Sequence, residues 1–328
     1  MSVKIERLNN LFLAELSNIM DLPAQRYDYA NKTAMFSALF QTAGISDSFV
    51  FFTDPHLLAN GNTTDFIPMF NNYTDIIKGF FDRTSTEAVI CGGDWLEWSD
   101  TPANALYKLN IMTGRMKELF PEAYYPVFGN HDNNYQGTEV EGTKTLTQAA
   151  INNVMFPYQG NAYYSIDMTN AKGYVLDTGT DSNTAMDSYR WAHIDWLANK
   201  LIDDDADHSA VYAHILWNTS DAEGVTPMID NVQELIGAYN SHSTVTLNTV
   251  EYDFTNCTGK CHYILGGHIH QNKSDTTNYS VPIIARTTTK AASNTPTFDL
   301  VLSDWENGKL YFVGIGASAT GSATQFNI

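Results

Sequence analysis

The chain is short of cysteine, of basic residues and of long apolar runs, and each shortage excludes something. Three cysteines in 328 residues cannot build a disulfide framework, so a small stapled scaffold is out. No apolar stretch reaches the roughly 18 residues that a bilayer-spanning helix needs. The opening MSVKIERLNN lacks the apolar core of a secretory signal, and the expectation is a soluble chain with no membrane span and no signal peptide. Only 18 Lys and Arg stand against 37 Asp and Glu, a formal charge of -19. That field repels phosphate backbones and anionic lipid, which argues against general nucleic-acid binding. Repeats, low-complexity tracts and Pro/Gly-rich linkers are lacking between 46 and 328, so that span reads as one domain.

What is present is an ordinary folding composition. Hydrophobic residues make 43% of the chain and charged ones 17%, against roughly 25% charged in an average domain, which excludes disorder and coiled-coil rods. Cys91 sits in the apolar run AVIC and reads as a buried thiol. Cys257 and Cys261, in NCTGKC, either close a small disulfide loop or stay reduced, and no second Cys/His pair completes a zinc knuckle. The compartment stays open between cytoplasmic and extracellular or envelope-facing.

Residues 1–45 read as an N-terminal helical extension, because Leu8, Leu11, Phe12, Leu16, Ile19 and Met20 recur at three- and four-residue steps. From Ser46 short apolar runs alternate with helical segments, which argues α/β layering. The runs are Phe49–Phe52, Ala88–Cys91, Pro126–Phe128, Tyr174–Leu176, Ala210–Ala213 and Tyr263–Leu265, each ending in a polar cluster; helices are expected over 101–119 and 188–202. Near the end, FDLVLSDWENGKLYFVGIG is two apolar runs around Asn307-Gly308, which predicts a hairpin with a tight turn at that pair.

The polar clusters share one chemistry. They supply Asp54 and His56 (TDPH), Asp94 (GGD), Asn130, His131 and Asp132 (GNHD), His214 (YAH), and His268 with His270 (GGHIH). Nitrogen and oxygen donors without thiolate suit borderline or hard divalent ions. These are too many ligands for one ion, whereas two ions sharing a bridging carboxylate use them naturally. Each cluster follows a strand, at the edge where loops of α/β sheets converge on ligands.

The ordered set D-x-H, GD, GNHD, H, GHxH resembles the calcineurin-like metallophosphoesterases over about residues 48 to 271. The resemblance implies an α/β layered sandwich of two mixed β-sheets flanked by helices. It implies one ion on Asp54, His56, Asp94 and His270, and a second on Asp94, Asn130, His214 and His268. It makes His131 the catalytic residue beside the leaving group, with Asp132 behind it to fix the imidazole tautomer. The activity implied is hydrolysis of a small phosphodiester or phosphomonoester by a metal-bridging hydroxide, with two divalent ions such as Mn, Fe or Zn. In purple acid phosphatases a tyrosine ligand lies three residues after the bridging aspartate; Glu97 stands there in this chain, which disfavours a tyrosinate-iron site. No basic amphipathic helix follows the motifs, so a calmodulin-regulated phosphatase is not expected.

Two other classes remain beside this one: a non-catalytic metal-binding scaffold on the same fold, and a different metal hydrolase. The complete ligand set counts against the first and the order of the five blocks against the second. Around the motifs, Trp95, Glu97, Trp98, Trp217 and Asn218 are candidates for a pocket wall, Trp95 more readily as a plug between sheet and helices. Asn133, Asn134 and Tyr135 either contact substrate or make an ordinary turn. Arg190 reads as a surface salt-bridge residue, 203–205 as a solvated acidic loop, and His193, His208, His242 and His262 as structural or exposed.

Overall fold

The computed structural model describes residues 29–56, 63–97, 101–134, 146–178, 191–216, 229–286, 297–316 and 323–328. The apolar stripe at Leu8–Met20, and Trp98, Tyr135, Arg190, Trp217 and Asn218, lie outside them. Six helices are described: α1 (Tyr29–Thr42), α2 (Thr63–Phe81), α3 (Pro102–Leu119), α4 (Gln148–Met155), α5 (Trp191–Asp204) and α6 (Ile229–Asn240). The first sheet contains β1 (Ser46–Phe52), β2 (Ala88–Cys91), β3 (Tyr124–Pro126), β12 (Phe298–Asp304), β13 (Lys309–Ile315) and β14 (Thr324–Asn327), in the order β14-β13-β12-β1-β2-β3. The second contains β4 (Tyr164–Asp167), β5 (Lys172–Leu176), β6 (Ser209–Ala213), β9 (Cys261–Gly266), β10 (Lys273–Asp275) and β11 (Ile283–Ala285), in the order β10-β11-β9-β6-β5-β4. A separate hairpin joins β7 (Thr244–Leu247) to β8 (Val250–Asp253).

Both sheets are mixed, as the resemblance implied. β1, β2 and β3 run parallel, β12 is antiparallel to β1, and β13 is antiparallel to β12 in turn. In the other sheet β5, β6, β9 and β11 are parallel, with antiparallel β4 and β10 at the edges. β1 shows why: Phe49, Val50, Phe51 and Phe52 form an unbroken apolar run, and all four are buried because both faces of the strand are covered. Its inner face meets the second sheet, where Phe49 packs edge-on against Tyr212 with ring centroids 5.7 Å apart. Tyr263 Oη lies 3.0 Å from Ser303 Oγ across the same layer.

Helices close the outer faces. Phe70, Tyr73, Ile77 and Phe80 recur at three- and four-residue steps along α2 and are buried where the helix packs on β1. α1 packs on β12 and β13, with Phe36 buried in the core. α3 begins at Thr101, whose side chain accepts from Asn104 N, and Pro102 takes the first helical turn, where its missing N–H costs nothing. On the other side α6 packs on β9, and α5 lies against α6 with Ile194, Leu197 and Leu201 buried.

The C-terminal hairpin differs from expectation at its turn. Asp304 pairs with Lys309, so four residues, Trp305 to Gly308, make the loop rather than Asn307-Gly308 alone. Only Gly308 of that pair has positive φ (60°). The Asp304 carboxylate accepts from Asn307 N and Nδ2, which folds the longer loop back on the strand end. All three cysteines are buried and free, so the loop between Cys257 and Cys261 is unbridged. The Asp205 carboxylate holds that loop instead, accepting from Thr258 N and Gly259 N.

Candidate metal centre

Seven of the nine predicted site side chains, all but Asn130 and Asp132, converge at one edge of the sandwich, on the seam between its sheets. Asp54 and His56 follow β1, Asp94 follows β2, and Asn130 and His131 follow β3 in the first sheet; His214 follows β6, and His268 and His270 follow β9, in the second. Parallel strands place all these loops at carboxyl ends. Cross-sheet hydrogen bonds lock the edge: His268 N donates to both Asp54 oxygens at 3.1 and 3.0 Å, and His214 Nδ1 to Gly92 O at 2.7 Å.

Two donor clusters result, and Asp94 belongs to both. Asp54, His56, Asp94 and His270 form one; Asp94, His214 and His268 form the other. In the first, His270 Nε2 is 3.2 Å from Asp54 Oδ1 and 2.9 Å from His56 Nε2, and His56 Nε2 is 3.7 Å from Asp94 Oδ2. In the second, His214 Nε2 is 3.0 Å from Asp94 Oδ2. Donors sharing a cation at roughly 2.0–2.2 Å stand no more than about 4.4 Å apart, a limit that these contacts meet. Asn130 Oδ1 is buried with no hydrogen-bond partner, an acceptor suited to a cation. The donor set therefore fits a divalent metal centre.

The carboxylates and imidazoles of the two clusters also set one another's charge. Burial would raise the Asp94 carboxyl, but His214, His131 and His56 hold it well below the usual range. Asp54 is likewise lowered, burial being outweighed by His214 and His270. His214 is itself pushed up to about 9, because the charges of Asp94 and Asp54 overcome its burial. Burial keeps His56 and His268 neutral, down at about 4, with lone pairs available for coordination.

The backbone at these positions is unusual. Asp54, His56, Asp94, His268 and His270 all have positive φ, between 42° and 70°. A left-handed non-glycine residue costs about 1–2 kcal/mol, so the strain is concentrated where the side chains must be aimed inward. It is held by Asp54 N to Gly93 O and His56 N to Asp94 O. Gly129 makes room: a Cβ there would lie 2.2 Å from Asp94 N and 2.3 Å from Asp94 Oδ1.

His131 stands at the rim, its side chain 26% exposed and its Nε2 4.0 Å from Asp94 Oδ2. Asp132 corrects the expectation. Its buried carboxylate accepts from the N–H groups of Asp94, Trp95, Leu96 and Gly129, binding the GGD loop to the GNHD loop. The hydrogen bond at His131 Nδ1 runs to the Glu97 carbonyl at 2.6 Å, so that carbonyl, not Asp132, sets the tautomer. Burial and the neighbouring Asp94 charge push Asp132 up to about 7.

The surroundings sort the remaining expectations. Trp95 is a buried plug against Phe52, Phe70 and Tyr124, not a pocket wall. Asn133 and Asn134 are buried in the turn, Asn134 at positive φ, which favours their turn reading. His193 and His262 are buried, His208 is half-buried and His242 exposed. Sequence reasoning missed Thr53, whose hydroxyl donates to Asp54 Oδ2 at 2.7 Å. It also missed the buried fork in which Arg286 Nε and Nη2 donate to the Asp299 carboxylate at 2.8 and 2.7 Å, tying the end of β11 to β12. A threonine before the aspartate was a readable signal; the Arg286 pairing left none, because its partners are joined only by the fold.

A two-sheet sandwich carrying an Asp/His cage at the strand ends defines a class of metal-centred proteins. Residues 48–272 match the family model described as calcineurin-like phosphoesterase, and the chain belongs to that family. No curated protein matches it in sequence. Among solved structures it is similar to a dimetal phosphatase from Danio rerio, with TM-score 0.60 and 11% identity over 86% of this chain and 98% of that one. It also matches the calcineurin-like phosphoesterase YfkN from Bacillus subtilis, with TM-score 0.42 and 12% identity over 86% and 88% of the two chains. A 5'-nucleotidase from Candida albicans matches with TM-score 0.39 and 13% identity, over 77% of this chain and 46% of that one. No described helix is long and apolar enough to cross a membrane.

Proposed function

We propose that the chain is a binuclear metal-dependent phosphoesterase acting on a small phosphodiester or phosphomonoester, with 46–328 as catalytic domain and 1–45 as helical extension. The observation that carries this reading is that one buried carboxylate, Asp94, belongs to two donor clusters at once. Asp54, His56, Asp94 and His270 would hold one ion, and Asp94, Asn130, His214 and His268 the other. When bound, such a pair supplies Lewis acidity, a nucleophile at neutral pH and charge neutralisation for the phosphate.

The chain's own groups do the rest. His131 Nδ1 donates to Glu97 O, which leaves Nε2 facing the cage; from the doubly protonated ring, Nε2 gives its proton to the leaving-group oxygen and the ring returns to the neutral Nδ1–H tautomer. Its partial exposure lets that oxygen reach it. Asp132 keeps the two loops in register through four N–H bonds, so it is a positioning residue. A protein of charge -19 favours small substrates over polyanions.

The test is metal analysis together with turnover of bis-p-nitrophenyl phosphate and p-nitrophenyl phosphate. Two bound ions, turnover abolished by chelation and its return on adding Mn2+ are expected. Turnover that continues unchanged in fully demetallated protein would overturn the mechanism; metal binding with no turnover of any phosphate ester would favour the scaffold.

A further inference from the structure

Glu97 touches two imidazoles in different ways. Its carboxylate Oε2 lies 3.3 Å from His56 Nδ1 as an ion-pair contact outside hydrogen-bond geometry, and its main-chain carbonyl is 2.6 Å from His131 Nδ1. The two rings meet edge to face with centroids 4.9 Å apart. Glu97 is itself buried, and the segment just before it is fixed, since the N–H groups of Asp94, Trp95 and Leu96 all donate to Asp132. The carboxylate faces the His56 nitrogen turned away from the donor cluster, and Glu97 is not a member of that cluster.

We propose that Glu97 is a positioning residue that sets the ring state of both histidines, His56 through its side chain and His131 through its backbone. The proposal rests on the dimetal reading above. A neutral imidazole has two tautomers, and a negative charge facing Nδ1 favours the one protonated there, whose Nε2 lone pair is free. For His56 that lone pair faces Asp54, Asp94 and His270. A carboxylate partner also makes the opposite nitrogen a better donor, and losing such a partner costs roughly 10–100-fold in metal affinity. Because His131 is held by main chain, side-chain changes at Glu97 separate the two roles.

The experiment is a Zn2+ titration of the full chain by chelator competition, with NMR of the His56 Nδ1 proton. Wild type is expected to take up two ions and to show that proton as a resolved resonance. In Glu97→Leu one affinity should fall roughly 10–100-fold, the other should hold, and the resonance should move upfield. The His131 Nδ1 proton resonance should stay in place in Glu97→Leu, since the backbone carbonyl still holds it. Glu97→Gln, which keeps an acceptor but loses the charge, should fall between the two in affinity and shift. Unchanged affinities with an unmoved His56 resonance in Glu97→Leu overturn the proposal, as does equal loss of both ions in a natively folded variant. If Glu97→Leu does not fold, Glu97→Gln decides, and an unmoved His56 resonance there overturns the proposal. A wild type that binds no metal defeats the dimetal reading instead, while the His56 resonance of the metal-free protein still reports on the Glu97 contact.

Discussion

The backbone N–H of His131 donates to Asp94 Oδ1 at 2.8 Å, so the proposed proton carrier and the carboxylate shared by both donor clusters are tied within one loop contact. The other Asp94 oxygen, Oδ2, is thereby left to face His214 and His56. One aspartate thus orients the GNHD loop with one oxygen and serves the cage with the other.

Asp94→Ala is expected to remove both ions and to lower kcat/KM by at least about a thousandfold, because neither cluster keeps its shared donor. Elemental analysis of the purified variant checks the first half and steady-state kinetics the second. Full metal content would contradict the bridging role.

His131→Ala should keep its metal and lose roughly 10²–10⁴-fold in kcat, the range for one general acid. The partition between kcat and metal content is the discriminating measurement. A variant that loses metal instead would make His131 a ligand.

Gly129→Ala tests the crowding at Asp94. Its Cβ has no space, so the loop must shift, at about 1–3 kcal/mol, and metal affinity should fall with it. Gly114, exposed on α3 where an added methyl group would meet nothing within 4 Å, is the control. Gly114→Ala should stabilise by about 0.5–1 kcal/mol through helix propensity. Urea denaturation compares the two, and similar effects would contradict this account.

His262 predicts a pH dependence remote from the metal centre. Burial, then Lys260 and His208, push it down to about 3, against 6.5 for the free group. Between those values the unfolded chain binds a proton that the folded chain refuses, so stability rises with pH across the window and is lost as pH falls below about 6.5. Thermal melts from pH 4 to 7 should show that slope, and His262→Gln should flatten it. An unchanged slope in the variant would show that other groups cause it.

Local pattern made much of this legible. β2 occupies the expected run Ala88–Cys91, and β5, β6 and β9 enclose theirs, because burial on both faces demands continuous apolar residues. The donors were legible for the same reason, each standing directly after such a run. Pairing was not: nothing near Ser46 signals that it lies opposite Asp304, since that register is fixed only by the closed sheet. Nor does any residue type mark the left-handed backbone of Asp54 or His270, which the surrounding hydrogen bonds impose against local preference. The part given to Asp132 failed because hydrogen-bond partners are chosen by loops meeting in space, and four backbone donors reach its carboxylate.

The cage draws Asp54, His56 and Asp94 from one sheet and His214, His268 and His270 from the other, so an ion seated there works as a rivet through both plates of the sandwich. Prying the plates apart means first giving up the ion. The melting temperature should therefore climb with the logarithm of free metal, and calorimetry at stepped Mn2+ would read occupancy directly as heat resistance.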